Sequence, residues 1–219
     1  MSRIAIVGAH GAVAQRIISR LYDRGDEAVG VIRNADHGED ILRLGGEAEV
    51  VDIESASVDE LADALRGADA VVFAAGAGPN SGPARKRTVD YAGAVLTADA
   101  ARAAGVQRVV QISAIGVDEP LADDTEEGWS AYVEAKRDAD AYLAGTSLDW
   151  TIIRPGGLTS DDGTGAITLA DHVERGSISR DDVAAVVLAV LDSPAAVGHT
   201  WEVVSGPTPI DEAVANAGS

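Results

Sequence analysis

Cysteine is absent from the 219 residues, which excludes both a disulfide framework and a thiolate metal site. Aromatic side chains make up only 4% of the chain, so its core must be packed chiefly by Ala, Val and Leu. No apolar run approaches the length of a bilayer span, and the first strand pattern begins at Arg3, leaving no room for a signal peptide. The expectation is a soluble, cytoplasmic protein with no membrane partner. Positive charge is scarce: 17 Lys and Arg face 36 Asp and Glu, for a formal charge of −19. Such a surface repels a phosphate backbone and argues against nucleic acid as a partner. The acidity itself reads as a solvated surface and says nothing about chemistry. His37, His172 and His199 are scattered, with no carboxylate at metal-ligand spacing, so no metal is expected.

What is present begins at the N-terminus. The apolar run Arg3–Val7 breaks into Gly8-Ala9-His10-Gly11-Ala12-Val13-Ala14, which leads into a helical pattern. A dinucleotide diphosphate needs this order. Gly8 permits a sharp turn, Gly11 keeps a Cβ away from the phosphates, and Ala14 allows close helix–strand packing. The amides at the helix start, around Ala12 and Val13, face the anion. His10 lies inside the loop, where its backbone does the binding.

Apolar runs and helical patterns then alternate along the chain. Strands are expected at Arg3–Val7, Ala28–Ile32, Glu49–Asp52, Ala70–Phe73, Arg108–Ile112 and Asp149–Ile153, with a late strand at His199–Val204. Helices are expected at Gly11–Asp23, Ser57–Leu65, Pro83–Ala104, Gly128–Leu143 and Val183–Leu191, while the chain from about Glu212 reads as frayed. Continuous rather than alternating apolar strands indicate a parallel sheet covered on both faces. The fold class is therefore α/β, a doubly wound, Rossmann-type, mostly parallel sheet. We read residues 1–219 as one domain, with minor substrate-lobe elements at about 156–180 and 199–219. Gly76–Pro83 leaves the end of the fourth strand and is either an active-site loop or plain surface. Gly156–Gly165 is the second candidate loop. Asp123, Asp124, Glu126, Glu127, Asp161 and Asp162 read as solvated loop acids.

The end of the second strand bears on the cofactor. Val31-Ile32-Arg33-Asn34 carries no carboxylate to hold ribose hydroxyls, whereas Arg33 would pair with a 2′-phosphate and Asn34 would donate beside it. NADP is expected in preference to NAD. Asp52 and Ile53 suit the adenine edge and face, although Asp52 could equally cap a turn. Ala74, Ala75 and Gly76 are small enough for backbone to pass close to ribose and phosphates. After the sixth strand, Pro155, Gly156 and Leu158 stand where the nicotinamide amide should lie.

Tyr132 and Lys136 are spaced by four residues in a helical segment, and so share one face. An ammonium there would lower the phenol pKa and make tyrosine a usable proton donor or acceptor near neutrality. Lys136 would also bind the nicotinamide ribose. Ser113, at the end of the fifth strand, would hydrogen-bond a substrate carbonyl or else cap a turn.

Taken in order, Gly8–Ala14, Val89–Gly93, Val109–Gly116, Tyr132–Lys136, Thr151–Thr159 and Ser177–Ala184 resemble the short-chain dehydrogenase/reductase superfamily. Within it the likeness is to the atypical, compact NAD(P)H-binding group, often labelled epimerase/dehydratase-like, which includes relatives of the biliverdin-IXβ/flavin reductases. The resemblance implies Tyr132 as acid/base, Lys136 as its partner and Ser113 as a third member. Two departures stand out. Asp90 takes the place of an asparagine in Asn-x-x-Gly, and Ala114 follows Ser113 where a second serine is common. The expected activity is NADPH-dependent reduction of a small carbonyl, quinone or flavin-like acceptor by a monomer or homodimer. Asp90 keeps a non-catalytic, NAD(P)-binding redox sensor in play. A nucleotide-sugar epimerase or dehydratase ranks lower, since only about 65 residues follow Ile153 to build a substrate lobe.

Overall fold

Successive residues of the first strand face opposite ways and feed two separate cores. Ile4 and Ile6 pack with Ile17, Ile18 and Leu21 on one face, and Ala5 and Val7 pack with Leu61 and Leu65 on the other. The computed structural model of the chain describes residues 1–78, 81–122 and 124–218. Pro79, Asn80 and Asp123, which fall in loops read from the sequence, lie outside the described residues.

The elements run β1 (Arg3–Val7), α1 (Ala12–Asp23), β2 (Glu27–Ile32), α2 (Gly38–Arg43), β3 (Glu47–Val50), α3 (Val58–Leu65) and β4 (Ala70–Phe73). A short turn α4 (Pro83–Arg85) and a π-helix (Lys86–Ala92) lead into α5 (Gly93–Ala104), β5 (Arg108–Ile112) and α6 (Glu127–Ala144). There follow β6 (Asp149–Pro155), β7 (Gly157–Thr159), β8 (Ala166–Ala170), β9 (Ser177–Ser179), α7 (Arg180–Leu191), β10 (His199–Ser205), β11 (Thr208–Pro209) and α8 (Ile210–Ala217).

Among the described residues, nine strands form one sheet in the order β11-β8-β10-β6-β5-β4-β1-β2-β3. All neighbours from β3 to β10 are parallel, while β8 runs antiparallel to both β10 and β11. Strand order reverses between β1 and β4. In an open α/β sheet, that reversal is where a crevice opens beyond the carboxyl ends of the strands. The architecture is the expected Rossmann-like one.

Several boundaries differ from the periodicity reading. β3 ends at Val50, which leaves Asp52 in the loop beyond it. The helix expected over Pro83–Ala104 keeps those bounds, but its interior, Lys86–Ala92, is wound as a π-helix between α4 and α5. Residues 199–205 lie in the main sheet as β10, and Gly157–Thr159 pairs with Ser177–Ser179 as a separate two-stranded sheet. The end of the chain is a correction: residues from about Glu212 are not frayed but belong to α8, whose Ala213 and Val214 are buried against the first core. Its short apolar stripe is stabilised by docking rather than by intrinsic helix propensity, and so carries little signal in the sequence.

Candidate functional site

At the end of β1 the chain turns on Gly8, whose φ is +85°, and the amides of Gly8 and Ala9 both donate to the Val31 carbonyl at 3.1 Å. A Cβ at Gly8 would stand 2.5 Å from the Ala75 Cα and one at Gly11 3.2 Å from the Gly8 carbonyl oxygen. Both positions bring backbone against backbone. Gly11 then caps α1 without a side-chain hydrogen bond, and no acidic residue occupies the first turn. The leading amides of the helix, including those of Ala12 and Val13, are thus left for an anion. His10 stacks its ring on His37 at 3.6 Å and hydrogen-bonds Asp40 at 3.0 Å, and both histidines stand at the wall of the adjacent cavity.

A cavity of about 300 Å³ opens beside this loop at the switch point. Gly8, His10, Gly11, Arg33, Asp52, Ile53, Ala74, Ala75 and Gly76, nine residues expected at a cofactor, all line it. Asn34 does not. Its side chain accepts from the Asp36 amide at 3.0 Å and caps the turn that follows β2. Asp52 lines the cavity and also caps a turn, accepting from the Glu54 amide at 3.0 Å. Glu54 and Arg85 line the cavity too, and sequence reasoning missed both. The available signal for Glu54 was its place just beyond the third strand. Arg85 reaches the cavity from α4, the first turn of the helical stretch that follows β4.

The second cluster surrounds Tyr132. The π-helix turns Asp90 inward until it is 1% exposed. One Asp90 oxygen accepts from the Ala77 amide at 3.1 Å, and the other lies 3.5 Å from Lys136 Nζ. Lys136 is also buried and donates to the Ile112 carbonyl at 3.1 Å. Asp90 thereby bridges the cavity, through Ala77, to the helix that carries Tyr132. The expected lowering of the phenol pKa by Lys136 does not occur. Burial, with the charges of Asp90 and Asp140 added, pushes the Tyr132 phenol far above its ordinary range. The lysine on the same helical face spends its charge on Asp90 instead. Lys86 is the cation over the Tyr132 ring, 5.1 Å from its centroid, while donating to the Gly78 carbonyl at 2.6 Å. Trp129 flanks the ring at 5.4 Å and is half exposed.

Ser113 donates its hydroxyl hydrogen to Asp140 at 2.8 Å. Asp140, which sequence reasoning also missed, accepts in addition from Gln111 at 2.6 Å and Arg154 at 2.9 Å. Burial raises the Asp140 carboxyl despite those three donors. With its hydrogen on Asp140, Ser113 offers lone pairs to the site rather than a donor to a carbonyl. Pro155 closes β6 and accepts from the Ile115 amide at 3.0 Å, while the Gly156 amide donates to Val203 at 2.9 Å. A Cβ on Gly156 would collide with the Gly176 carbonyl oxygen, and Leu158 is exposed on β7. Neither these three nor Tyr132, Lys136 and Ser113 line the cavity beside the phosphate loop.

Asp182, at the start of α7, fixes the far end of the second candidate loop. Burial would raise its carboxyl, but the amides of Thr164 and Gly165 and the hydroxyl of Ser179 outweigh it and hold the pKa below the ordinary value. A depressed native pKa stabilises the fold above the unfolded value of about 3.9 and ceases to do so as pH falls through the native value. Asp182→Asn is therefore expected to cost about 1–2 kcal/mol at neutral pH. The gap from the wild type should close in urea titrations carried below pH 4. A deficit that persisted undiminished in acid would show that charge is not its cause.

The glycine turn, the uncapped helix start and the cavity together fit a dinucleotide: the turn has no room for a Cβ, and no carboxylate occupies the first helical turn. A family model described as NAD(P)H-binding matches residues 8–194. The chain is 36% identical over 213 residues to the uncharacterized sugar epimerase YhfK of Bacillus subtilis, covering 97% of this chain and 98% of that one. A solved Bacillus halodurans protein, provisionally described as an NAD-dependent epimerase/dehydratase, superposes with a TM-score of 0.91 at 36% identity over 99% and 100% of the two chains. The oxidoreductase ylbE of Lactococcus lactis superposes at 0.85 with 28% identity over 98% and 95%. A reductase stands among the further matches.

Proposed function

We propose that this chain, which belongs to the NAD(P)H-binding family, reduces a small carbonyl, quinone or flavin-like acceptor with NADPH. The observation that carries this reading is the placement of Tyr132 on α6, one turn from Lys136, whose contact with Asp90, and through it with the Ala77 amide, ties that helix to the wall of the cofactor cavity. A phenol whose pKa is raised cannot act as a base near neutrality. It can still give its proton to a developing alkoxide, which is more basic. That is the proton transfer which reduction of a carbonyl requires.

NADPH, when bound, would supply a hydride to the electrophilic atom of the acceptor. Gly8, Gly11 and the start of α1 hold the diphosphate, and Ala74–Gly76 lets the backbone lie close to it. Tyr132 donates its proton to the oxygen that accumulates charge, and solvent restores it. Lys136, fixed by Asp90 and the Ile112 carbonyl, holds the helix face on which Tyr132 stands. Ser113, its hydrogen committed to Asp140, accepts from a hydroxyl or amine on the substrate.

The commitment of Lys136 to Asp90 also favours a second reading, an NAD(P)-binding sensor that does not turn over. The two separate in one assay. Purified protein is mixed with NADPH and, in turn, a small diketone, a benzoquinone and free flavin mononucleotide, while the absorbance of the reduced nicotinamide is followed. Oxidation with at least one acceptor is the expected result. Tight NADPH binding without oxidation by any of them would favour the sensor.

A further inference from the structure

We propose that Arg33 and Arg85 form a two-arginine site for the ribose 2′-phosphate, and that Glu54 is the internal anion holding them until that phosphate displaces it. This rests on the reading of the cavity as a nicotinamide-cofactor site. It adds two residues, Glu54 and Arg85, that set the choice between the phosphorylated and unphosphorylated forms.

The three side chains come from three separate elements and meet at the cavity wall: Arg33 just past β2, Glu54 past β3, and Arg85 from α4. One Glu54 oxygen receives Arg85 through Nη2 at 2.8 Å and Nε at 3.1 Å, and Arg33 through Nη1 at 3.3 Å. Its other oxygen accepts from the Thr88 hydroxyl at 2.7 Å. Two guanidiniums on a single carboxylate leave the cluster with one positive charge in excess. A 2′-phosphate presents more charge and three acceptor oxygens, so both arginines have reason to exchange Glu54 for it. The carboxylate acts in two ways. It organises both arginines before the cofactor arrives, and its charge opposes the phosphate when it does. An unphosphorylated ribose gains nothing from the arginines and meets only Glu54.

Binding constants for NADPH, NADH, 2′-AMP and 5′-AMP, measured by calorimetry on the full chain and on Arg85→Ala, Arg85→Lys and Glu54→Gln, test this. All three side chains are partly exposed, and melting curves report whether each variant is folded. Arg85→Ala is expected to weaken NADPH and 2′-AMP by about tenfold or more, the loss of a charge-assisted pair, with NADH and 5′-AMP little changed. Arg85→Lys should recover only part of the loss, because an ammonium cannot make the fork. Glu54→Gln should tighten NADPH and 2′-AMP and leave NADH no tighter. Equal losses for NADPH and NADH in Arg85→Ala would overturn the proposal. So would a Glu54→Gln variant that loses NADH and fails to gain NADPH, since Glu54 would then be a ribose-hydroxyl acceptor. If the wild type binds neither dinucleotide, the cofactor reading itself fails, which is a separate result.

Discussion

Gly8→Val is expected to reduce affinity for both NADPH and NADH by more than about 100-fold, the equivalent of losing two charge-assisted hydrogen bonds. The argument is steric and local. A φ of +85° costs a residue with a Cβ about 1–2 kcal/mol, and the Cβ would stand 2.5 Å from the Ala75 Cα. Ala75 lies just past the end of β4, so relief requires moving one backbone segment away from the other. Either motion turns the first amides of α1 away from the diphosphate and reshapes the cavity that Ala74–Gly76 lines. Calorimetric titration alongside circular dichroism separates lost binding from lost fold. Wild-type affinity in a folded Gly8→Val protein would mean that the cofactor does not rest on this turn.

Tyr132→Phe is expected to lower kcat for acceptor reduction by about 10²–10⁴, the usual contribution of a positioned proton donor, with cofactor affinity nearly unchanged. Phenylalanine keeps the ring against Trp129 and beneath Lys86, so packing is largely preserved. The pH dependence adds a sharper check. Because burial, Asp90 and Asp140 hold the phenol protonated, no fall in kcat attributable to Tyr132 should appear up to about pH 9. An alkaline limb near neutrality, absent from Tyr132→Phe, would show that a cation activates the phenol after all. Equal kcat in the two proteins would remove Tyr132 from proton transfer.

Much of the frame was legible because its signals are local. The glycine loop after Val7, the continuous apolar strands and the crossover helices all follow from short-range periodicity and backbone sterics. The doubly wound, mostly parallel sheet follows from them in turn, while the strand order that sets its switch point is seen only in the fold. Asp52 could be placed at a strand end but not assigned between cavity and cap, and it serves as both. The π-helix was not legible, since its extra residue per turn leaves a pattern that a single long helix also fits. Nor was α8, whose few buried residues gain stability only by docking.

The site divides along the same line. The residue types at the phosphate loop and the pairing of Tyr132 with Lys136 on one helical face were fixed by sequence, because glycine geometry and a spacing of four act within a few residues. Tertiary structure alone decided which charge each group meets. Asp90 takes Lys136, Asp140 takes the hydrogen of Ser113, and Glu54 takes Arg33 and Arg85. Electrostatic interaction depends on distance through space and on burial, and these partners are brought together from elements far apart in the chain.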